Sequence, residues 1–192
     1  RDLLTAPFQD APLVFAVQDV ARGTGDAARV GLEAIPDFKG HVLVLAGDVP
    51  LLQKKTVSRL QKSGANKAVA VLTTFVDDPT GYGRIIRDGK KLLRIVEQKD
   101  ASEGEKEISE INSGVYRFHT ALLRPAVLAL RSDNAQGEFY LTDVVEQAGS
   151  QDQAVAVVAA DPSECAGVNN REQLAFVEAT LRTRLIRFWQ DK

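Results

Sequence analysis

His41-Val42-Leu43-Val44-Leu45-Ala46-Gly47-Asp48-Val49-Pro50 opens as an unbroken apolar run of strand length and closes on a glycine, an aspartate and a proline. A continuous apolar run suits a strand covered on both faces. Asp48 then falls just past the carboxyl end of a buried strand, the edge at which open α/β sheets bind ligands. Gly47 lets another group approach the backbone closely there. Similar runs at Leu13 to Val17, Lys67 to Phe75, Ile111 to Phe118 and Ala154 to Ala159 alternate with helical patterns. The helices are expected at Asp26 to Ile35, Thr56 to Ser63 (closed by Gly64), Thr120 to Arg131 and Leu141 to Gly149. Such alternation predicts an α/β layer architecture with a mixed, mostly parallel sheet flanked by helices.

One segment breaks the rhythm. Arg84 to Arg87 and Lys91 to Val96 are short strand-like runs joined by Asp88-Gly89, the dipeptide favoured by type I′ turns, so an antiparallel hairpin excursion is expected. The charged stretch Asp100 to Glu110 suits an exposed helix or loop. From Arg171 to Lys192, Leu174, Val177, Leu181, Leu185, Phe188 and Trp189 form one apolar stripe on a long helix that needs a partner surface. The expected organisation is one domain over residues 1–170 followed by a helix over 171–192.

With 192 residues, 44% hydrophobic and 26% charged, the chain can bury one substantial core. A net charge of −2 without a block of like charges argues against a nucleic-acid partner. No apolar run reaches membrane-span length and no signal peptide is visible, so a cytoplasmic location is expected. One cysteine, Cys165, and two separated histidines, His41 and His119, offer neither a zinc spacing nor a Cys/His nucleophile pair. The chain begins at Arg1 and contains no methionine, which suggests a fragment.

Several segments carry side chains suited to a ligand. Asp48 can hold Mg²⁺, which prefers hard oxygen ligands and keeps waters and substrate phosphates, or it can cap the following turn. Gln18-Asp19-Val20-Ala21-Arg22-Gly23-Thr24-Gly25-Asp26-Ala27 opens a helix with two glycines around a threonine. Its N–H groups suit an anionic or polar ligand, although Thr24 as an ordinary N-cap explains it as well. In Asp78-Pro79-Thr80-Gly81-Tyr82-Gly83-Arg84, Gly81 and Gly83 would let a sugar approach the backbone, or would simply make a tight turn. Glu97 closes the second hairpin strand. Asn112 and Gly114 interrupt an otherwise apolar strand without a packing rationale, which often marks a site. Tyr140, Thr142 and Asn170 stand at loop-to-helix junctions; Asn170 would cap the last helix or complete a metal site with Asp48.

Taken together and in order, QDVARGTGDA, LAGDVPL, DDPTGYGRI, VEQKDA, EINSGVY, GEFYLTD and GVNNREQL, spread over residues 18–174, resemble the uridyltransferase domain of the bacterial N-acetylglucosamine-1-phosphate uridyltransferases. In that family the domain is fused to a glucosamine-1-phosphate acetyltransferase. The resemblance implies a Rossmann-like, GT-A-like nucleotidyltransferase fold. It implies that Gln18 reads the uracil edge, that Gly23, Thr24 and Gly47 line the nucleotide site, and that Asp48 and Asn170 hold the catalytic Mg²⁺. It further implies that Gly83, Glu97 and Asn112 bind amino-sugar and ribose hydroxyls, with Tyr140 and Thr142 closing the sugar pocket around the N-acetyl group.

The implied reaction transfers UMP from UTP to N-acetylglucosamine 1-phosphate, giving UDP-N-acetylglucosamine, a cell-wall precursor, and pyrophosphate. No protein nucleophile is needed, since positioning and charge stabilisation carry such chemistry. The same chemistry on another sugar or base, such as glucose-1-phosphate thymidylyl transfer, and a non-catalytic regulatory module are the alternatives. The family's Gly-rich loop and phosphate-binding lysine are expected upstream of Arg1, so residues 1–192 alone are expected to be weakly active or inactive. Ala46 stands where many members carry a tyrosine. A left-handed β-helix that forms a homotrimer is expected downstream of Lys192.

Overall fold

The computed structural model describes residues 12–191. Six strands form one sheet flanked by helices: α1 (Thr24–Glu33), β1 (His41–Val44), α2 (Lys54–Lys62), β2 (Val69–Phe75), β3 (Arg84–Asp88), β4 (Lys91–Val96), α3 (Glu103–Lys106), β5 (Glu110–His119), α4 (Thr120–Ala129), α5 (Thr142–Ser150), β6 (Ala154–Val158) and α6 (Arg171–Gln190). The order β4-β3-β5-β2-β6 forms the main path, with β1 on β5. The mixed sheet and its hairpin are as expected. β1, β2, β3 and β6 run one way, but β5 lies antiparallel between them, so β2–β6 is the parallel neighbour pair among the described residues.

β5 organises the molecule. One of its edges is filled by β2 along most of its length. The opposite edge is shared: β1 takes the C-terminal half, from His41 opposite His119 to Val44 opposite Tyr116, and β3 touches the other end through Arg84 opposite Ile111. Between these two partners the edge around Asn112 to Gly114 has no neighbouring strand, and a cleft opens there. Gly114, with φ 74, permits the irregularity, and a Cβ on it would lie 3.1 Å from Ala46 Cβ.

The core explains why the strand runs are continuous. Val69 and Val71 of β2 enter one apolar cluster with Phe118, Leu123 and Val145, whereas Ala70 and Leu72 enter another with Leu60, Val115 and Cys165. Alternate residues thus face opposite covered sides. α5 comes so close to the hairpin that a Cβ on Gly149 would lie 2.0 Å from Leu93 O.

Four local expectations are corrected. Leu13 to Val17 forms no strand; Leu13, Val14, Phe15 and Val17 are 44–70% exposed and pair with no described strand. Apolarity makes a strand only when a partner supplies the ladder. In the hairpin Asp88 pairs with Lys91, so the loop is Gly89-Lys90 with a left-handed φ of 56 at Gly89 alone, the type II′ rather than the I′ pattern. Within the charged stretch only Glu103–Lys106 is helical, started by a Ser102/Glu105 capping box, and Glu110 is buried in β5, held by Arg87 and Thr73. On α6 only Val177 of the apolar stripe is buried, while Arg184 of the same helix donates to Leu51 O and Asp161.

Candidate active site

The cleft is a cavity of about 1360 Å³ between α1, the carboxyl end of β1, the loop before β3 and the start of β5. That exceeds the volume of a typical small-molecule pocket and leaves room for a ligand in two parts. Its apolar end is lined by Ala28, Leu32, Ile35 and Val44, and its polar end by Thr80, Glu97, Asn112 and Gln136, with Asp48 and Asn169 on the wall.

At the polar end four expected residues meet. A Cβ on Gly83 would lie 3.3 Å from Glu97 Oε2 and 3.6 Å from Asn112 Cβ, and Asn112 N donates to Gly83 O at 2.9 Å. Thr142 Oγ1, the first residue of α5, donates to Glu97 Oε1 at 3.0 Å. Burial raises the Glu97 carboxyl above the ordinary range, the Thr142 bond opposes that, and the charges of Asp100, Asp143 and Glu138 add to it. Asn112 donates from Nδ2 to Tyr116 Oη at 2.6 Å and accepts from Gly114 N at 3.2 Å. One N–H and one lone pair of its amide therefore remain for a ligand. Tyr116 was not singled out by sequence; burial pushes its hydroxyl pKa up. Tyr140 is buried beside this cluster, its hydroxyl accepting from Gln136 Nε2 at 2.8 Å.

Arg84 braces the loop that carries Gly83. It is 1% exposed and donates to Lys106 O, Tyr82 O and, at 2.8 Å, Gln98 Oε1, which also accepts from Gly81 N. The loop is therefore preformed by an internal cation.

At the α1 end residues 139–141 lie over the 22–25 loop. Gly23 is the N-cap of α1 with φ 105, and a Cβ there would sit 2.6 Å from Phe139 O. Gly25 N donates to Phe139 O at 2.8 Å. Thr24 is not the cap: its hydroxyl accepts from Leu141 N at 3.1 Å. Gln18 stands before this loop, its Nε2 donating to Asp26 Oδ2 at 2.7 Å.

Gly47 and Asp48 follow β1, and Asp48 O accepts from Val168 N at 2.9 Å, which ties the 167–170 segment to this strand end. A side-chain carbon on Gly167 would lie 3.5 Å from Asn169 Nδ2 and 3.7 Å from Asp48 Oδ2, so the Asn169 amide shares this corner with Asp48. Asn170 Oδ1 caps α6 by accepting from Gln173 N at 2.8 Å. The cap is one of the two roles that the sequence offered for Asn170. Among the described residues no group of three His, Cys, Asp or Glu side chains is placed to hold a metal. A carboxylate with an amide oxygen is a hard, sparse donor set that fits Mg²⁺, which retains waters and phosphate ligands. Cys165 at the cavity wall is buried, and desolvation pushes its thiol up to about 12, which leaves it inert as a nucleophile.

Comparison with known proteins agrees with this architecture. The family model described as nucleotidyl transferase matches residues 7–191. The bifunctional protein GlmU of Corynebacterium aurimucosum is 49% identical over 181 residues, 92% of this chain and 37% of the relative. Its namesake from Clostridium botulinum is 40% identical over 186 residues, 96% of this chain and 41% of the relative. The chain thus spans about two-fifths of the length of these relatives. A crystal structure of a Bacillus anthracis protein described as a glucose-1-phosphate thymidylyltransferase superposes with TM-score 0.68 at 19% identity, covering 94% of this chain and 70% of that one, a likeness of fold.

Proposed function

The chain belongs to the nucleotidyl transferase family, and we propose that its site takes part in transfer of UMP from UTP to N-acetylglucosamine 1-phosphate, yielding UDP-N-acetylglucosamine and pyrophosphate. The observation that carries the reading is the meeting of Gly83, Glu97, Asn112 and Thr142 at one end of a cavity whose wall bears Asp48 and Asn169. A side-chain-free glycine beside a carboxylate and a half-used amide is what a hydroxyl-rich ring needs: room for the ring, an acceptor, and a donor–acceptor pair.

In the reaction a phosphate oxygen of the sugar phosphate bonds to the α-phosphorus of UTP as the bond to pyrophosphate breaks. Glu97, steadied by Thr142, and Asn112, steadied by Tyr116, hold the sugar so that this oxygen is presented in one orientation. The Gly23-Thr24 turn, pinned beneath residues 139–141, lines the nucleotide side, with Gln18 at the base. Asp48 and the amide oxygen of Asn170 would hold Mg²⁺, with the Asn169 amide in the same corner. That ion supplies charge stabilisation for the phosphates. Chemistry of this kind uses no protein nucleophile, in keeping with an inert Cys165.

Titration calorimetry of UDP-N-acetylglucosamine with and without Mg²⁺ tests the reading. Binding is expected to strengthen with Mg²⁺, to weaken at least ~10-fold in Asn112→Ala, the scale of a buried polar group left unpaired, and to lose its Mg²⁺ dependence in Asp48→Asn. Equal binding by parent and Asn112→Ala would remove the sugar site from this cavity end.

A further inference from the structure

Asp26 has no role in the reading above, yet its surroundings are unusual for an aspartate. It lies in the first turn of α1, where negative charge is favoured, but unlike a surface residue it is 5% exposed. Burying a carboxylate is costly unless its oxygens are hydrogen-bonded, and both are. Oδ1 accepts from Arg29 Nη2 at 2.8 Å, Arg29 Nε at 3.1 Å and Arg22 Nη2 at 3.3 Å. Oδ2 takes no arginine; it accepts from Gln18 Nε2 at 2.7 Å. The two guanidinium groups thus satisfy one oxygen and leave the other to Gln18.

Gln18 needs that anchor. It stands in a segment without helix or strand, and none of its backbone groups makes a backbone hydrogen bond among the described residues. Its second amide partner, Gly23 O at 3.4 Å, is a weak contact. Both partners are acceptors only, so the amide can face them only through its nitrogen. With Oε1 toward Asp26, two oxygens would meet without a proton between them. The carboxylate therefore fixes which way the amide lies and leaves Oε1, to which no described residue donates a hydrogen bond, as its remaining acceptor. An acceptor complements an N–H, which uracil and thymine present at N3; cytosine presents a lone pair at that position.

We propose that Asp26 is a positioning residue which sets base selectivity: by locking the Gln18 amide nitrogen inward it makes the site prefer a pyrimidine that donates from N3 over one that accepts there. This rests on the nucleotide-site reading above. The hydrogen bond from Gln18 and the Arg29 pair hold the Asp26 carboxyl below the usual carboxylate range, so the lock persists at neutral and mildly acidic pH.

The test is calorimetric titration of the protein with UTP and with CTP for the parent, Asp26→Asn, Gln18→Ala and the double variant. The parent is expected to favour UTP by ~10-fold or more, the scale set by one unsatisfied polar contact. Asp26→Asn, whose amide can meet either end of Gln18, is expected to bring that ratio close to one, and to add nothing in the Gln18→Ala background. Unchanged preference in Asp26→Asn, equal weakening of both nucleotides, or a full additional effect without Gln18 would each overturn the inference while leaving UTP binding as its own result. A parent that binds neither nucleotide overturns the inference together with the nucleotide-site reading. Should Asp26→Asn not fold, NMR of the unsubstituted protein decides: the Gln18 side-chain amide protons are expected to be protected from solvent exchange, and unprotected protons overturn the lock.

Discussion

Thr142 Oγ1 and Glu97 Oε1, 45 residues apart in the chain, stand 3.0 Å from each other and join the N-terminus of α5 to the end of β4. The bond holds a half-buried carboxylate in the cavity wall and partly offsets the burial that raises its pKa. A carboxyl whose folded pKa is raised releases its proton earlier in the unfolded chain, so the folded state binds more protons over the interval between the two pKa values. Stability is expected to fall as pH rises through the interval just above the ordinary carboxylate range. Glu97→Gln should flatten that slope, and Thr142→Val should extend it to higher pH. Melting temperature measured against pH for the three proteins checks this; a parent slope unaltered in Glu97→Gln would be evidence against it.

Gly83→Ala places a carbon 3.0 Å from Ile95 Cγ2 and 3.3 Å from Glu97 Oε2, inside the space assigned to the sugar. Overpacking of this kind costs ~1–3 kcal/mol. We expect sugar-phosphate affinity to fall at least ~10-fold, equivalent to ~1.4 kcal/mol, with UTP affinity unchanged. Loss of both affinities in parallel would mean that the loop is a general brace.

Gly149→Ala addresses stability away from the ligand. The new carbon would lie 2.0 Å from Leu93 O and 2.8 Å from Leu92 O, both backbone atoms, so α5 must retreat from β4. The expected loss is ~3 kcal/mol, the upper part of the overpacking range, read as a shift of the urea midpoint without a change of slope. A loss below ~0.5 kcal/mol, the range of an ordinary surface change, would show that the α5–β4 contact yields easily.

Arg87 and Glu110 form a two-pronged ion pair at 2.6 Å across β3 and β5, with Glu110 also accepting from Thr73 Oγ1 at 2.7 Å. Glu110 is 5% exposed. Arg87→Ala strands that carboxylate and is expected to cost ~3–5 kcal/mol, whereas Arg87→Met with Glu110→Gln should cost distinctly less, because no buried charge is left alone. Chemical denaturation of both variants provides the comparison.

Much of this molecule can be read from neighbouring residues alone. The apolar runs of β1, β2, β5 and β6, the five longer helices and the Arg84–Val96 hairpin are short-range patterns, and the polar Asn112, an anomaly inside an apolar strand, lies on the cavity wall. Glycines such as Gly83 and Gly114 could be singled out as anomalies, though not for what they face.

Pairing decided the rest. Leu13 to Val17 has the composition of a strand but no described strand beside it, while Glu110, in a charged run, is drawn into the core by Arg87 and Thr73 from other strands. Asn170 could be read as a cap from its place before the last helical pattern, but that the neighbouring Asn169 amide shares a corner with Asp48 depends on Val168 N reaching Asp48 O, more than a hundred residues away in the chain. The reason is physical: propensity, hydrophobic period and turn chemistry act over a few residues and are written in the order of the chain, whereas a hydrogen-bond partner or a buried counter-charge is supplied by a segment tens of residues away, whose position exists only once the sheet has formed.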